Sequence, residues 1–101
     1  MRLIIDLSVY KNEIQKICEE EDVEIMGVFG SVARGEENKD SDIDIIIKYQ
    51  GKDKSLFDLV GLENRLSKLF GRKVDLHTEN SISPYIIDKV EEDLKLLYIN
   101  N

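Results

Sequence analysis

Cysteine, proline, tryptophan and positive charge are all scarce in this sequence, and each shortage removes something. The single cysteine, Cys18, cannot close an internal disulfide and has no second thiol with which to build a zinc site. It falls on the apolar side of an expected helix, where a core role suffices. One proline and six glycines in 101 residues leave little material for extended disorder. No stretch approaches the ~20 apolar residues of a membrane span, and the opening MRLIID is too short for a signal peptide. A cytoplasmic location without membrane contact is therefore expected. Only 14 Lys and Arg stand against 21 Asp and Glu, a formal charge of −7. Such a field repels phosphate backbones and argues against direct nucleic-acid binding. Metal ions can reverse that sign locally, and basic partners are favoured by it.

What is present suits one soluble globular domain spanning 1–101, with 42% apolar and 35% charged residues. The length allows a single core but no separate substrate domain. A large substrate must be met on the surface or together with a partner, in a homo- or hetero-oligomer.

Apolar residues Val9, Ile14, Ile17 and Cys18 recur at helical spacing between Ser8 and Glu21, with Asp6 or Ser8 available as cap. The acidic end of that helix, Glu19 to Asp22, is expected to run out into solvent. EIMGVFG is a short buried strand ending in glycine, and Ser31 to Arg34 form one helical turn. A loop from Gly35 to Ser41 follows, with Glu36 as a solvated acid. DIDIIIKY is a second strand whose consecutive isoleucines imply cover on both faces beyond the aspartates. Ser55 with Asp58 forms a capping pair for a helix whose apolar face is Leu56, Leu59, Val60, Leu66, Leu69 and Phe70, stopped by Gly71. KVDLH is a third strand, and Ser83–Pro84 opens a last helix bearing Ile82, Ile86 and Val90. The tail LKLLYIN either finishes that helix or adds an edge strand. Tyr10, Tyr49, Tyr85 and Tyr98 read as packing residues. The order α-β-α-β-α-β-α predicts an α/β fold with a small mixed β-sheet flanked by helices, its strand order open.

The chemistry gathers around GSVARGEENKDSDIDIII. Strand side chains alternate faces, so Asp42 and Asp44 point the same way, about 6.6 Å apart along the backbone. Two such carboxylates raise each other's pKa unless a cation or hydrogen-bond donors hold them ionised. A hard divalent ion, Mg²⁺ or Mn²⁺, that shares its ligands with substrate phosphates suits them. Asp75 is a third acid, costly in an apolar strand unless compensated. Pairing its strand beside the second would bring it to the same ions, and three acids could hold two metals ~3.5–4 Å apart. Gly30 clears space for a phosphate near the backbone, and Ser31 offers amide and hydroxyl at the start of a helical turn. Arg34 can reach a phosphate or pair with an acid such as Asp42. No Walker-type G-x-x-x-x-G-K-[ST] occurs. His77 shares a face with Asp75 and is expected to be solvated or to support that acid, with proton transfer the alternative.

GSVARGE, SDIDIII and KVDLHT, in this order and spacing, resemble the minimal nucleotidyltransferases of the DNA polymerase beta-like superfamily. The resemblance implies that Gly30 and Ser31 hold a nucleoside triphosphate and that Asp42 and Asp44 bind metal. It makes Asp75 the third acid, able to bind metal or deprotonate the attacking hydroxyl. The implied reaction transfers a nucleoside monophosphate, AMP from ATP in the leading case, to an acceptor with release of pyrophosphate. Many such proteins are antitoxins paired with a small helical HEPN ribonuclease toxin, some silencing it by adding AMP to a tyrosine. Two alternatives remain: a non-catalytic antitoxin that neutralises its partner by binding, and transfer to a small-molecule hydroxyl.

Overall fold

The structure is a computed structural model and describes residues 7–35, 42–51, 53–85 and 87–100. Asp6, the stretch Glu36 to Ser41 and Ile86, all named above, lie outside the described residues. The elements run α1 (Lys11–Glu20), β1 (Val23–Phe29), α2 (Gly30–Arg34), β2 (Ile43–Tyr49), α3 (Leu56–Phe70), β3 (Val74–Thr78), α4 (Ile87–Asp93) and β4 (Lys95–Ile99). The expected α/β order is present, with one strand more, and the tail resolves as an edge strand.

The sheet order is β3-β2-β1-β4. β1 pairs antiparallel with both β2 and β4, while β2 and β3 are parallel and joined through α3. One face carries the core: Ile43, Ile45 and Ile47 of β2 and Met26 and Val28 of β1 meet Ile14, Ile17 and Cys18 of α1 and Leu62, Leu66 and Phe70 of α3. Each such side chain contributes about 1.5–3 kcal/mol by leaving water. Cys18 is fully buried, and burial pushes its thiol up to about 12.

The other face of the sheet is only partly covered. Ile46, on that face, is half-buried, so the isoleucine run is enclosed on one side and partly open on the other. Its cover lies over β1, where a Cβ added to Gly27 would meet Leu94 Cδ1 at 2.5 Å. This openness leaves room for a site.

Several local expectations change. Residues Leu7–Tyr10 wind as a 3₁₀ turn and α1 begins only at Lys11, not Ser8. A 3₁₀ turn stacks positions three apart. Leu7 is therefore buried and Tyr10 packs edge-on against Phe70, whereas Val9 turns outward at 70% exposure and leaves the apolar face assigned to it. The acidic end of α1 is not simply solvated: Glu20 and Glu21 pair with Arg65 of α3, and Asp22 lies 3.0 Å from Lys54 Nζ.

The Ser55–Asp58 capping box and the left-handed Gly71 that bound α3 form as expected, Asp58 Oδ2 accepting the Ser55 amide at 2.8 Å. Leu56 and Val60, however, face water, because the buried stripe passes through Leu62, Leu66 and Phe70. Pro84 sits in a turn rather than in the first turn of α4, with the Ser83 hydroxyl accepting the Tyr85 amide at 3.2 Å. Tyr85 there is 97% exposed and is no packing residue. Tyr10, Tyr49 and Tyr98 do pack against the core.

As an edge strand, β3 turns alternate amides away from β2, and side chains satisfy them. The Val74 amide donates to Ser67 Oγ (2.9 Å), Leu76 to Glu63 Oε2 (2.9 Å) and Thr78 to Ser81 Oγ (3.1 Å). Two of these acceptors belong to α3, which thereby fixes the backbone beneath Asp75 and His77.

Candidate active site

β1 ends at Phe29, and Gly30 turns the chain sharply into α2 with φ +77°. That φ belongs to the left-handed region, where a Cβ is strained. A second demand falls on the same residue, because a Cβ there would lie 2.5 Å from Asp44 Oδ2. Glycine thus lets the turn press directly against a carboxylate of the neighbouring strand. The N-cap residue of α2, Phe29, makes no side-chain capping hydrogen bond, and Ala33, fully packed, anchors the turn to the core. Ser31, half-buried, is the second residue of that turn.

Register brings the acids together. In the parallel β2–β3 pair Asp44 stands opposite Asp75, and Ile46 opposite His77. Ligand atoms of Asp44, Asp75 and His77 all lie within 4.8 Å of one another. The His77 Nε2 is 3.4 Å from Asp75 Oδ2, and its ring leans on Phe29 with centroids 5.5 Å apart. Burial pushes the Asp44 carboxyl above its ordinary value, and the negative charge of Asp75 beside it pushes further. Asp42 adds to the rise, while His77 and Arg34 oppose it. Oxygen-rich, repulsive and half-open, the group fits a divalent cation, which would relieve the repulsion.

Asp42 does not join that group. Strand pairing begins at Ile43, so side-chain alternation does not bind Asp42, whose carboxylate is 46% exposed and lies 3.8 Å from Lys73 Nζ. Arg34 does pair with an acid, Asp93, at 2.5 Å, which ties α2 to the end of α4. Asp93 and Phe29 carried no sequence signal for these contacts. His77 carried one, its two-residue spacing from Asp75 on a strand.

A half-open mixed sheet, a glycine–serine turn and acids from two adjacent strands are the parts from which nucleotide-transfer sites are built, and the chain belongs to the nucleotidyltransferase domain family, whose profile matches residues 11–97. A protein of Methanocaldococcus jannaschii, provisionally named a protein adenylyltransferase, is 44% identical over 96 residues, covering 93% of this chain and 97% of that one. The protein adenylyltransferase MntA of Thermococcus cleftensis is 37% identical over 84 residues, covering 83% of this chain and 81% of its own. A solved structure, provisionally described as a minimal nucleotidyltransferase, superposes with a TM-score of 0.77 at 28% identity, over 91% of this chain and 96% of that one. A toxin–antitoxin structure crystallised with AMP-PNP superposes at 0.75 with 24% identity, over 90% of this chain and 74% of that chain, and shares the fold.

Proposed function

We propose that this protein is a metal-dependent adenylyltransferase that moves AMP from ATP to a hydroxyl of a protein partner. The observation that carries the reading is the register of Asp44 opposite Asp75, with the Gly30 turn pressed against the first of them. Support for AMP and for a protein acceptor comes from the relatives named protein adenylyltransferases. The partner we favour is a helical HEPN-type toxin with a tyrosine acceptor, which makes the chain an antitoxin; motif resemblance and the fold shared with one chain of solved toxin–antitoxin complexes motivate that choice. Consumption of ATP suits a cytoplasmic location.

In this reading Gly30 and Ser31 hold the triphosphate with the backbone amides at the start of α2, and Arg34 supplies positive charge at the end of that short helix. Asp42, Asp44 and Asp75 are the residues that would hold Mg²⁺. When bound, the ion would neutralise phosphate charge and lower the barrier to displacement at the α-phosphorus. Asp75, half-exposed at the open face, accepts the proton of the acceptor hydroxyl. The acceptor oxygen bonds to the α-phosphorus as the bond to the β-phosphate oxygen breaks, and pyrophosphate leaves. Gly30 and Asp44 keep the triphosphate and the acids in contact without an intervening side chain.

The test is incubation with labelled ATP, magnesium and a candidate helical partner. Label is expected on the partner and is expected to vanish with Asp44→Asn or Asp75→Asn. A partner neutralised equally well by Asp44→Asn, without any gain in mass of AMP, would replace this reading with neutralisation by binding alone.

A further inference from the structure

We propose that His77 is a nitrogen ligand of the ion held by Asp44 and Asp75, and that the site therefore prefers manganese or a similar first-row transition ion to magnesium. The inference rests on the function proposed above and adds to it a ligand and a metal preference.

Placement comes first. Asp75 and His77 are two apart on β3, inside the paired part of the strand, so both side chains rise from the open face beside Asp44. Their ligand atoms and that of Asp44 lie within 4.8 Å of one another. Two ligands of an octahedral ion at ~2.1 Å stand roughly 3 to 4.2 Å apart, so the three atoms need only small side-chain rotations to share one ion. The 3.4 Å from Nε2 to Asp75 Oδ2 exceeds the ~2.7–2.9 Å of a charge-assisted hydrogen bond. The imidazole is near the carboxylate but is not fastened to it.

Support comes second. Phe29 backs the imidazole from β1, the strand on the far side of β2, and limits its swing. Glu63 and Ser81 hold the amides of Leu76 and Thr78 on either side of His77, so the backbone beneath the ring is fixed. A ring so held loses little freedom on binding an ion. Among the described residues, the atoms gathered within 4.8 Å of one another belong to two carboxylates and one imidazole. Magnesium takes oxygen ligands and gives up water reluctantly, whereas imidazole nitrogen favours transition ions.

The chain contains a single histidine, so nitrogen from histidine in an untagged sample can come from His77 alone. Pulsed electron paramagnetic resonance of the full chain with Mn²⁺ and AMP-PNP is expected to show nitrogen modulation of the manganese echo. That modulation should shift when histidine carries the heavy nitrogen isotope and disappear in His77→Gln and His77→Asn. Calorimetry should show the Mn²⁺ to Mg²⁺ affinity ratio falling about tenfold or more in both variants. Manganese bound by wild type with no isotope-sensitive modulation overturns the inference and leaves the proposed function standing. An unchanged affinity ratio in both variants does the same. No uptake of manganese in the presence of the nucleotide removes the proposed function itself, and this inference with it.

Discussion

Gly30→Ala incurs two costs, which comparison with Gly71→Ala separates. The first is backbone strain: an alanine at φ +77° costs about 1–2 kcal/mol. The second is steric, since the new Cβ would begin 2.5 Å from Asp44 Oδ2, where ordinary contact starts at 3.4 Å. The Asp44 carboxylate must therefore retreat by about 0.9 Å, the difference of those two distances. A displacement of ~1 Å at a reacting centre costs on the order of 100-fold in rate. Gly71→Ala is the matched control, because Gly71 has φ +67° but nothing within 4 Å of its would-be Cβ. Urea titration should show both variants losing about 1–2 kcal/mol, with any excess in Gly30→Ala reporting the clash. AMP transfer, measured where both variants are fully folded, should fall about 100-fold in Gly30→Ala and stay within twofold of wild type in Gly71→Ala. Equal transfer by the two variants would refute the claim that Gly30 exists to seat the turn against Asp44.

Three further outcomes follow from the same coordinates. Glu63→Ala should destabilise the protein by about 1–3 kcal/mol in urea titration by leaving the Leu76 amide without its acceptor, while Glu63→Gln, which retains a carbonyl oxygen, should lose less. The Tyr49 hydroxyl is buried with no hydrogen-bond partner among the described residues, so Tyr49→Phe should leave stability unchanged or raise it by about 1 kcal/mol; a clear loss would show a partner in solution. The Ser55 amide and hydroxyl hold the Asp58 carboxyl below its ordinary value, so its contribution is fully present above that value and is lost as pH falls through the lowered one. Wild type should therefore lose its advantage over Asp58→Asn as pH drops below about 4, and parallel pH–stability curves would contradict the capping box.

The parts of this fold that were legible in the sequence are those governed by local rules. Ser55, Asp58 and Gly71 bound α3 as capping chemistry demands, and the three strand runs after α1 are where β-branched residues cluster. Misplaced residues sit where a tertiary partner decides. Leu56 and Val60 fit a helical stripe by spacing, yet α3 buries the line of Leu62, Leu66 and Phe70, with Leu59 and Leu69 packed beside it. Val9 fits an α-helical face but lies in a 3₁₀ turn, whose three-residue period points it elsewhere. The tail was ambiguous because five residues of apolar character suit either element, and pairing with β1 settles them as a strand.

The site shows the same division at the scale of single residues. Side-chain alternation is a property of hydrogen-bonded strand backbone, so its reach ends where pairing ends. Asp75 and His77 both lie within β3, and the rule that put them on one face holds for both. Asp44 lies within β2, and the parallel partner brings it level with Asp75. Asp42 precedes the first paired residue by one position, which is enough to release its carboxylate toward Lys73. The D-x-D spacing in the sequence suggested a pair of acids on one strand, whereas the pair that meets is Asp44 and Asp75, across two strands. At this strand entry Asp42 is held by an exposed contact with Lys73, worth about 1 kcal/mol or less. So small a tether is compatible with the ligand role proposed for Asp42, which requires its carboxylate to turn toward Asp44 and Asp75.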